Sequence, residues 1–461
     1  MTSATLAQRM RPTDIGVAGP TPLDMARAFG SIRRDPLSFL AQVSERYGDL
    51  VAFPVPGAPA LLVNDPADVR HVLQGAARNW GKQTIQYGAL ARVTGQGLLA
   101  SAEPSWIEHR RLAAPAFHHQ RLQAVSEEVR SAADAAITHR LAGAVPRSGA
   151  VVDVAALTHR IGLDAVGRAL FSADLTGRAR HLLEATSRAS ELVIRLGRSV
   201  VPGAWWAPTP TNVRLRTTRR RLDAISAEIV AERRAHMRST PEVRHGGDLL
   251  GLLIDSHLTD EEIRAELVTM VIAGHETVAA ALAWTLMLLA EHPEVQDRVR
   301  TELALASPVS MLDHRDRLPW TRAAVDEALR LYPPAWALSR RSLDPDVVGG
   351  VEVPAGTLVI ISPWLVHRRA GSWPAPLEFR PERFLEPDAR RPGYLPFGQG
   401  PRLCIGREFA LGEMVIVLSR LLGSYRLDVP PGWIRPAAET QVAVHPQGGM
   451  PLLLTPQPGP P

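Results

Sequence analysis

Phe397-Gly398-Gln399-Gly400-Pro401-Arg402-Leu403-Cys404-Ile405-Gly406 is the stretch of this 461-residue chain on which the fold turns. Glycines at 398, 400 and 406 permit positive φ and let the backbone approach a flat ligand closely. A helical pattern follows at once, from about Arg407 through Leu422, so Cys404 stands just ahead of a helix N-terminus, where the helix dipole and exposed amides favour a thiolate. Cys404 is the only cysteine, which rules out an internal disulfide or a multi-thiolate metal centre. A lone cysteine is ordinarily a small buried hydrophobe. Its neighbours point instead to a loop built to hold a thiolate, and a thiolate on iron pushes electron density through the metal and favours O–O cleavage.

Upstream, Thr259 and Glu262 offer a capping box for a helix that runs to about His292, where Pro293 follows. Its interior from Leu267 to Ala290 is nearly all apolar and long enough to cross a membrane. His275 and Glu276 lie at its middle, where charge is costly in lipid, so a buried helix through a protein core is the better reading. The run Ala273-Gly274-His275-Glu276-Thr277 pairs two small residues with a hydroxyl able to bond back to a carbonyl one turn earlier. Further on, Glu327 and Arg330 share a helix face at i, i+3, a spacing that is usually a solvated ion pair. Pro381-Glu382-Arg383-Phe384 follows about fifty residues later.

Phe397, Gly400, Arg402, Cys404 and Gly406 match F-x-x-G-x-R-x-C-x-G, the haem-binding signature of the cytochrome P450 family, and the chain resembles that family in motif order from Trp106 to Gly406. The resemblance implies haem b, with Cys404 as the iron ligand and Phe397, Gly398, Gly406, Ala273 and Gly274 beside the cofactor. It gives Arg402, the helix pair Trp106 and Arg110, and Arg340 or its neighbour Arg341 to the haem propionates, which suit forked guanidinium donors. Thr277 is then the hydrogen-bond donor in dioxygen activation and Glu276 a link in proton delivery, although Val278 stands where the family often has a second hydroxyl. Glu327, Arg330 and Arg383 become a buried structural network. Thr269, Ala273, Ala335, Trp336, Ala337, Gln441 and Val442 fall where the family lines its substrate pocket, which implies a hydrophobic small molecule: a terpenoid, another secondary metabolite or a fatty acid. Dioxygen is the co-substrate. Electrons come from a separate ferredoxin and its reductase, docking near a basic face that includes Arg111, Arg402 and Arg407.

Elsewhere, strand-like runs at Leu50 to Pro54, Ala60 to Val63, Val351 to Val353, Thr357 to Ile361 and Val442 to Val444 flank a long helical middle. The expected fold is therefore mainly α with a minor β region contributed by both ends, a P450 fold with its long central helix over the haem. It is read as one interlocked domain over 1–461, with a loose leader to residue 22 and a loose tail from 456. The tryptophans of Val200 to Pro208 suggest either a lid or an ordinary packed loop. A net charge of +5, spread along the chain, gives no support to nucleic-acid binding. Charges before residue 35 break up any early signal or span, so the expectation is a cytoplasmic monomer. Two rivals stand beside the monooxygenase: a peroxide-using peroxygenase or isomerase of the same fold, and a haem-thiolate binding protein without turnover. The Glu276-Thr277 pair argues against both.

Overall fold

A computed structural model describes residues 15–55, 58–141, 143–171, 185, 209–239, 248–386 and 392–457. The Trp205-Trp206 segment lies outside the described residues. By internal contacts the chain divides into two units, one of Met1–Gly88, Ala335–Glu378 and Arg390–Cys404, and a helical one of Ala89–Pro334, Phe379–Ala389 and Ile405–Pro461.

The first unit carries helices α1 (Pro22–Arg34) and α2 (Pro36–Tyr47) and a five-stranded sheet. Strands β1 (Leu50–Phe53) and β2 (Ala60–Val63) form an antiparallel hairpin, with Leu50 opposite Val63. β2 runs parallel to β8 (Leu358–Ile361), which pairs with β5 (Leu338–Ser342), and β5 with β3 (Trp80–Gly81). All four residues of β2 are buried, as expected of an inner strand covered on both faces. A small hairpin, β6 (Asp346–Val348) with β7 (Val351–Val353), completes the unit. The leader is not loose throughout. From Ile15 it is described, the Ala52 N–H donates to the Ala18 carbonyl at 3.0 Å, and a Cβ at Gly19 would fall 1.8 Å from the Ala52 carbonyl oxygen. Backbone pairing to a strand edge holds it, a long-range contact that its Pro/Gly punctuation did not reveal.

The second unit is built around helix α7 (Asp260–Glu291). The Thr259 hydroxyl accepts from the Glu262 N–H, the Glu262 carboxylate accepts from the Thr259 N–H at 2.8 Å, and three acidic residues in the first turn favour the positive dipole end. A helix apolar on every side must be enclosed. Helices α5 (Val154–Phe171), α6 (Pro210–Ser239), α9 (Pro319–Leu331) and α10 (Arg407–Ser424) pack against it, and its membrane-length window is 83% buried. Helices α3 (Ser105–Ala113), α4 (Ser126–Leu141) and α8 (Pro293–Leu305) extend the bundle. A three-stranded sheet orders β4 (Ala150–Asp153), β12 (Pro451–Pro456) and β9 (Tyr425–Asp428), and β10 (Ala438–Thr440) pairs with β11 (Val444–Pro446). Two expectations shift here. The strand at Val442 begins at Val444, because the Gln441 N–H turns back to the Ala443 carbonyl. The tail is tied through Gln457, whose N–H donates to the Ser424 carbonyl.

Candidate functional site

The Cys404 loop is shaped by two left-handed glycines, Gly398 at φ 74° and Gly400 at φ 72°. A Cβ at Gly400 would stand 1.9 Å from the Leu73 carbonyl oxygen, so any other residue there forces backbone apart. His367 Nε2 accepts the Leu395 N–H, the Gly398 N–H donates to Leu395, and the Cys404 N–H donates to the Phe397 carbonyl at 3.0 Å. These bonds turn the Cys404 side chain outward, where it is exposed. Three residues on, Arg407 opens α10. In the same unit Arg340 is buried in β5 and gives one guanidinium N–H to the Ser339 carbonyl. Arg341 Nε is a buried N–H with no partner among the described residues, and Arg402 is half-buried.

In the helical unit, the Thr277 hydroxyl donates 2.7 Å to the Ala273 carbonyl, the back-bond that its spacing anticipates. Glu276 is buried beside it. Trp106 is buried in α3, with the Arg110 guanidinium over its ring at 5.7 Å. Glu327 and Arg330 are both fully buried. Arg330 forks onto the carboxylate at 2.7 and 2.8 Å, Arg383 Nε reaches it at 3.1 Å, and the Arg380 N–H at 2.9 Å. The spacing that is usually a surface pair is here a buried network that engages both carboxylate oxygens.

The donor chemistry fits haem b. A soft thiol is available for iron and guanidinium groups for carboxylates, one of them, Arg341, with a buried N–H that has no partner among the described residues. The pocket residues divide. Thr269 is buried against Gly97 in the helical unit, and Gln441 and Val442 lie in the turn before β11. Ala335, Trp336 and Ala337 belong to the first unit, where Trp336 packs on the cluster of Leu40, Val43, Phe53 and Leu62. The Trp336 ring is thus partly buried against the core of the sheet unit. Of the expected basic face, Arg111 is exposed, whereas Arg407 binds Glu408 at 2.7 Å and Arg315 shares the same carboxylate.

Sequence reasoning placed His275 in a buried helix but missed its partner and several other buried titratable groups around α7. His275 Nε2 lies 2.9 Å from His159 Nε2 on α5, and burial holds the His275 imidazole well below its ordinary range. Burial likewise lowers His159 and pushes His445, on β11, down to about 4. Glu413 on α10 is fully buried, neither carboxylate oxygen has a hydrogen-bond partner among the described residues, and burial raises it well above the usual carboxylate range. Glu266 on α7 is buried against His109 of α3 at 2.6 Å. For Glu413 the available signal was a lone acid in an apolar helical run, Leu411-Gly412-Glu413-Met414.

The cytochrome P450 family model matches residues 18–453. The chain is 32% identical to the cyclooctat-9-en-7-ol 5-monooxygenase of Streptomyces melanosporofaciens, over 92% of this chain and 91% of that one. It is 30% identical to the pentalenene oxygenase of Streptomyces avermitilis, over 93% and 94%. Among solved structures, CYP175A1 from Thermus thermophilus superposes with a TM-score of 0.76 at 32% identity, covering 96% of this chain and 100% of that one. The haem domain of cytochrome P450DA shares the fold, with a TM-score of 0.81 at 24% identity over 97% and 98% of the two chains.

Proposed function

Because the chain belongs to the cytochrome P450 family of haem b monooxygenases, we propose that Cys404 ligates the haem iron, that Glu276 and Thr277 manage the protons of dioxygen activation, and that the substrate is a terpenoid. When bound, the haem supplies reductive activation of O2 and insertion of one oxygen atom into a substrate C–H or C=C bond, the other leaving as water. The observation that carries the reading is the exposed thiol of Cys404 on a glycine-turned loop immediately ahead of α10.

Thr277 keeps its hydroxyl proton on the Ala273 carbonyl, and Gly274 lets Val166 of α5 pack close to α7, a Cβ there standing 3.2 Å from a Val166 methyl. Swinging the hydroxyl away from Ala273 makes its proton available, and the buried Glu276, one residue earlier, is the acid assigned to the proton supply. Arg340, Arg341, Arg402 and Arg110 hold the propionates, and Trp106 supports Arg110 through its ring face. The Glu327–Arg330–Arg383 network acts on folding and haem incorporation, not on turnover.

The two Streptomyces relatives are named as oxygenases of cyclooctat-9-en-7-ol and pentalenene, which supports a cyclic terpenoid here. Electrons are supplied by a ferredoxin and its reductase. The docking face is positive, because Arg407 and Arg315 share one Glu408 and Arg111 adds a further exposed charge. The chain works as a single cytoplasmic haem domain and as a monomer.

Reduction under carbon monoxide tests the ligand: the wild type gives the red-shifted Soret band of thiolate ligation, and Cys404→Ala loses it. Retention of the band by that variant ends this reading. With NADPH, ferredoxin, reductase and O2, a panel of cyclic terpenes yields hydroxylated product. Thr277→Ala and Glu276→Gln cut product per NADPH several-fold, and turnover by peroxide alone at the full rate favours the peroxygenase instead.

A further inference from the structure

Two ring N–H groups of the sheet unit converge on a carboxylate that the proposed chemistry does not use. Asp346, the first residue of β6, accepts from Trp80 Nε1 on β3 at 2.8 Å through Oδ2 and from the Val347 N–H at 2.8 Å through Oδ1. His71 Nε2 stands 3.0 and 3.1 Å from the same two oxygens. An ionised carboxylate can only accept, so the proton of that bond is on Nε2. His71 in turn opens one turn of π-helix, His71–Gly75, closed by the Ala76 N–H on the His71 carbonyl at 2.8 Å. Turns of this kind are rare and concentrate at functional sites. This one is pressed against the Cys404 loop. A Cβ at Gly400, where φ is +72°, would stand 1.9 Å from the Leu73 carbonyl oxygen and 3.1 Å from the Gln74 Cα.

Val72, Leu73, Trp80, Val348 and Leu395 share one buried cluster, and the Leu395 carbonyl takes the Gly398 N–H at the start of the same loop. Apolar burial is non-directional, so this cluster alone does not fix the rotation of a five-residue turn. The carboxylate does, because it grips His71 at the first residue of the turn and Trp80 beyond its last.

We propose that Asp346 is a positioning residue for the Cys404 thiolate: by holding His71 and Trp80 it fixes the π-turn, the turn seats Gly400, and the seated loop limits the water that reaches the sulfur. This rests on the haem-thiolate reading for the role of the sulfur, and on the contacts above for the clamp. Hydrogen bonds from water drain electron density from a thiolate, so a loosened loop raises the reduction potential and weakens the sulfur–iron bond.

The haem-loaded protein is tested by amide hydrogen exchange over residues 398–404, by the midpoint potential, and by the rate at which the reduced, carbon-monoxide-bound form loses its red-shifted Soret band on mild heating. Asp346→Asn speeds exchange and band loss about tenfold, the loss of one charge-assisted hydrogen bond, and moves the midpoint positive. Trp80→Phe, which keeps a ring and removes the N–H, speeds both about threefold. Gly400→Ala reproduces the Asp346→Asn shifts by parting the loop from the turn while the clamp stays intact. Arg369→Gln, which breaks ion pairs to Asp49 and Asp65 in the same unit, moves none of the three. Wild-type exchange and midpoint in Asp346→Asn overturn the clamp, as does an equal shift in Arg369→Gln, the mark of general loosening. Should Asp346→Asn not fold, unchanged readouts in both Trp80→Phe and His71→Gln overturn it instead. A wild type without the thiolate band sinks the haem reading alone and leaves exchange over 398–404 to judge the clamp.

Discussion

Two buried polar regions of the helical unit are built on opposite terms. Beneath α9, Glu327 meets Arg330, Arg383 and the Arg380 amide, so each desolvated charge has its counterpart within 3.1 Å. Around α7 and α10, His275 has one imidazole partner and an unpartnered Nδ1, while Glu413 has no hydrogen-bond partner among the described residues. Gly162 of α5 makes room between them: a Cβ there would stand 3.3 Å from the His275 carbonyl oxygen and 3.6 Å from Glu413 Oε1. The first region can stay ionised because it is paired. The second avoids the cost of burial by staying neutral, which the lowered imidazoles and the raised carboxyl express.

The sharpest break is Glu327→Ala, which leaves Arg330 and Arg383 as buried cations without an anion. We expect a loss of about 3–5 kcal/mol in urea unfolding, with little haem retained. A loss within about 1 kcal/mol would mean that the network is solvated and that the contrast with the histidine region is false.

The neutral region should appear instead as acid sensitivity. His445 titrates near 4 when folded and near its ordinary value when unfolded, so the unfolded chain binds the extra proton between those values. Its contribution is complete at pH 8 and falls as pH drops from 6.5 toward 4, by about 2 kcal/mol at pH 5. His275 and His159 act in the same direction. His445→Gln should flatten that part of the stability–pH curve. An unchanged slope would show that His445 is hydrated in the folded protein.

The same contrast explains what could be read from sequence. The capping box of α7, the Thr277 back-bond and the Glu327–Arg330 pair lie within one or two helical turns, so spacing alone exposes them. The pairing of Glu266 with His109 spans 157 residues and that of His275 with His159 spans 116. No local period encodes such a meeting. Strand β4 escapes a reading of sequence for the same reason, because four residues with alternating burial become a strand only when Val152 finds Leu452 near the other end of the chain. Trp336 shows what a family alignment leaves out, since it supplies a chain position and not the direction of a ring, and here the ring is partly buried against the sheet unit's core.

Glu413 gives the smallest effect and the finest test of the comparison. A carboxyl with its folded pKa raised binds a proton that the unfolded chain gives up, so it costs stability as pH rises above the ordinary carboxylate range and until the folded group ionises. Glu413→Gln removes that cost while keeping the shape. It should stabilise the protein at pH 8 by about 1 kcal/mol, on the order of a tenfold change in the carboxyl's proton affinity, and leave stability at pH 4 nearly unchanged. Glu327→Gln, an equally conservative change at the paired site, should destabilise at both pH values because two arginines lose their anion. If the two glutamines moved stability in the same direction at pH 8, pairing would not be what separates these regions, and a hydrated, ionised Glu413 would be the simpler account.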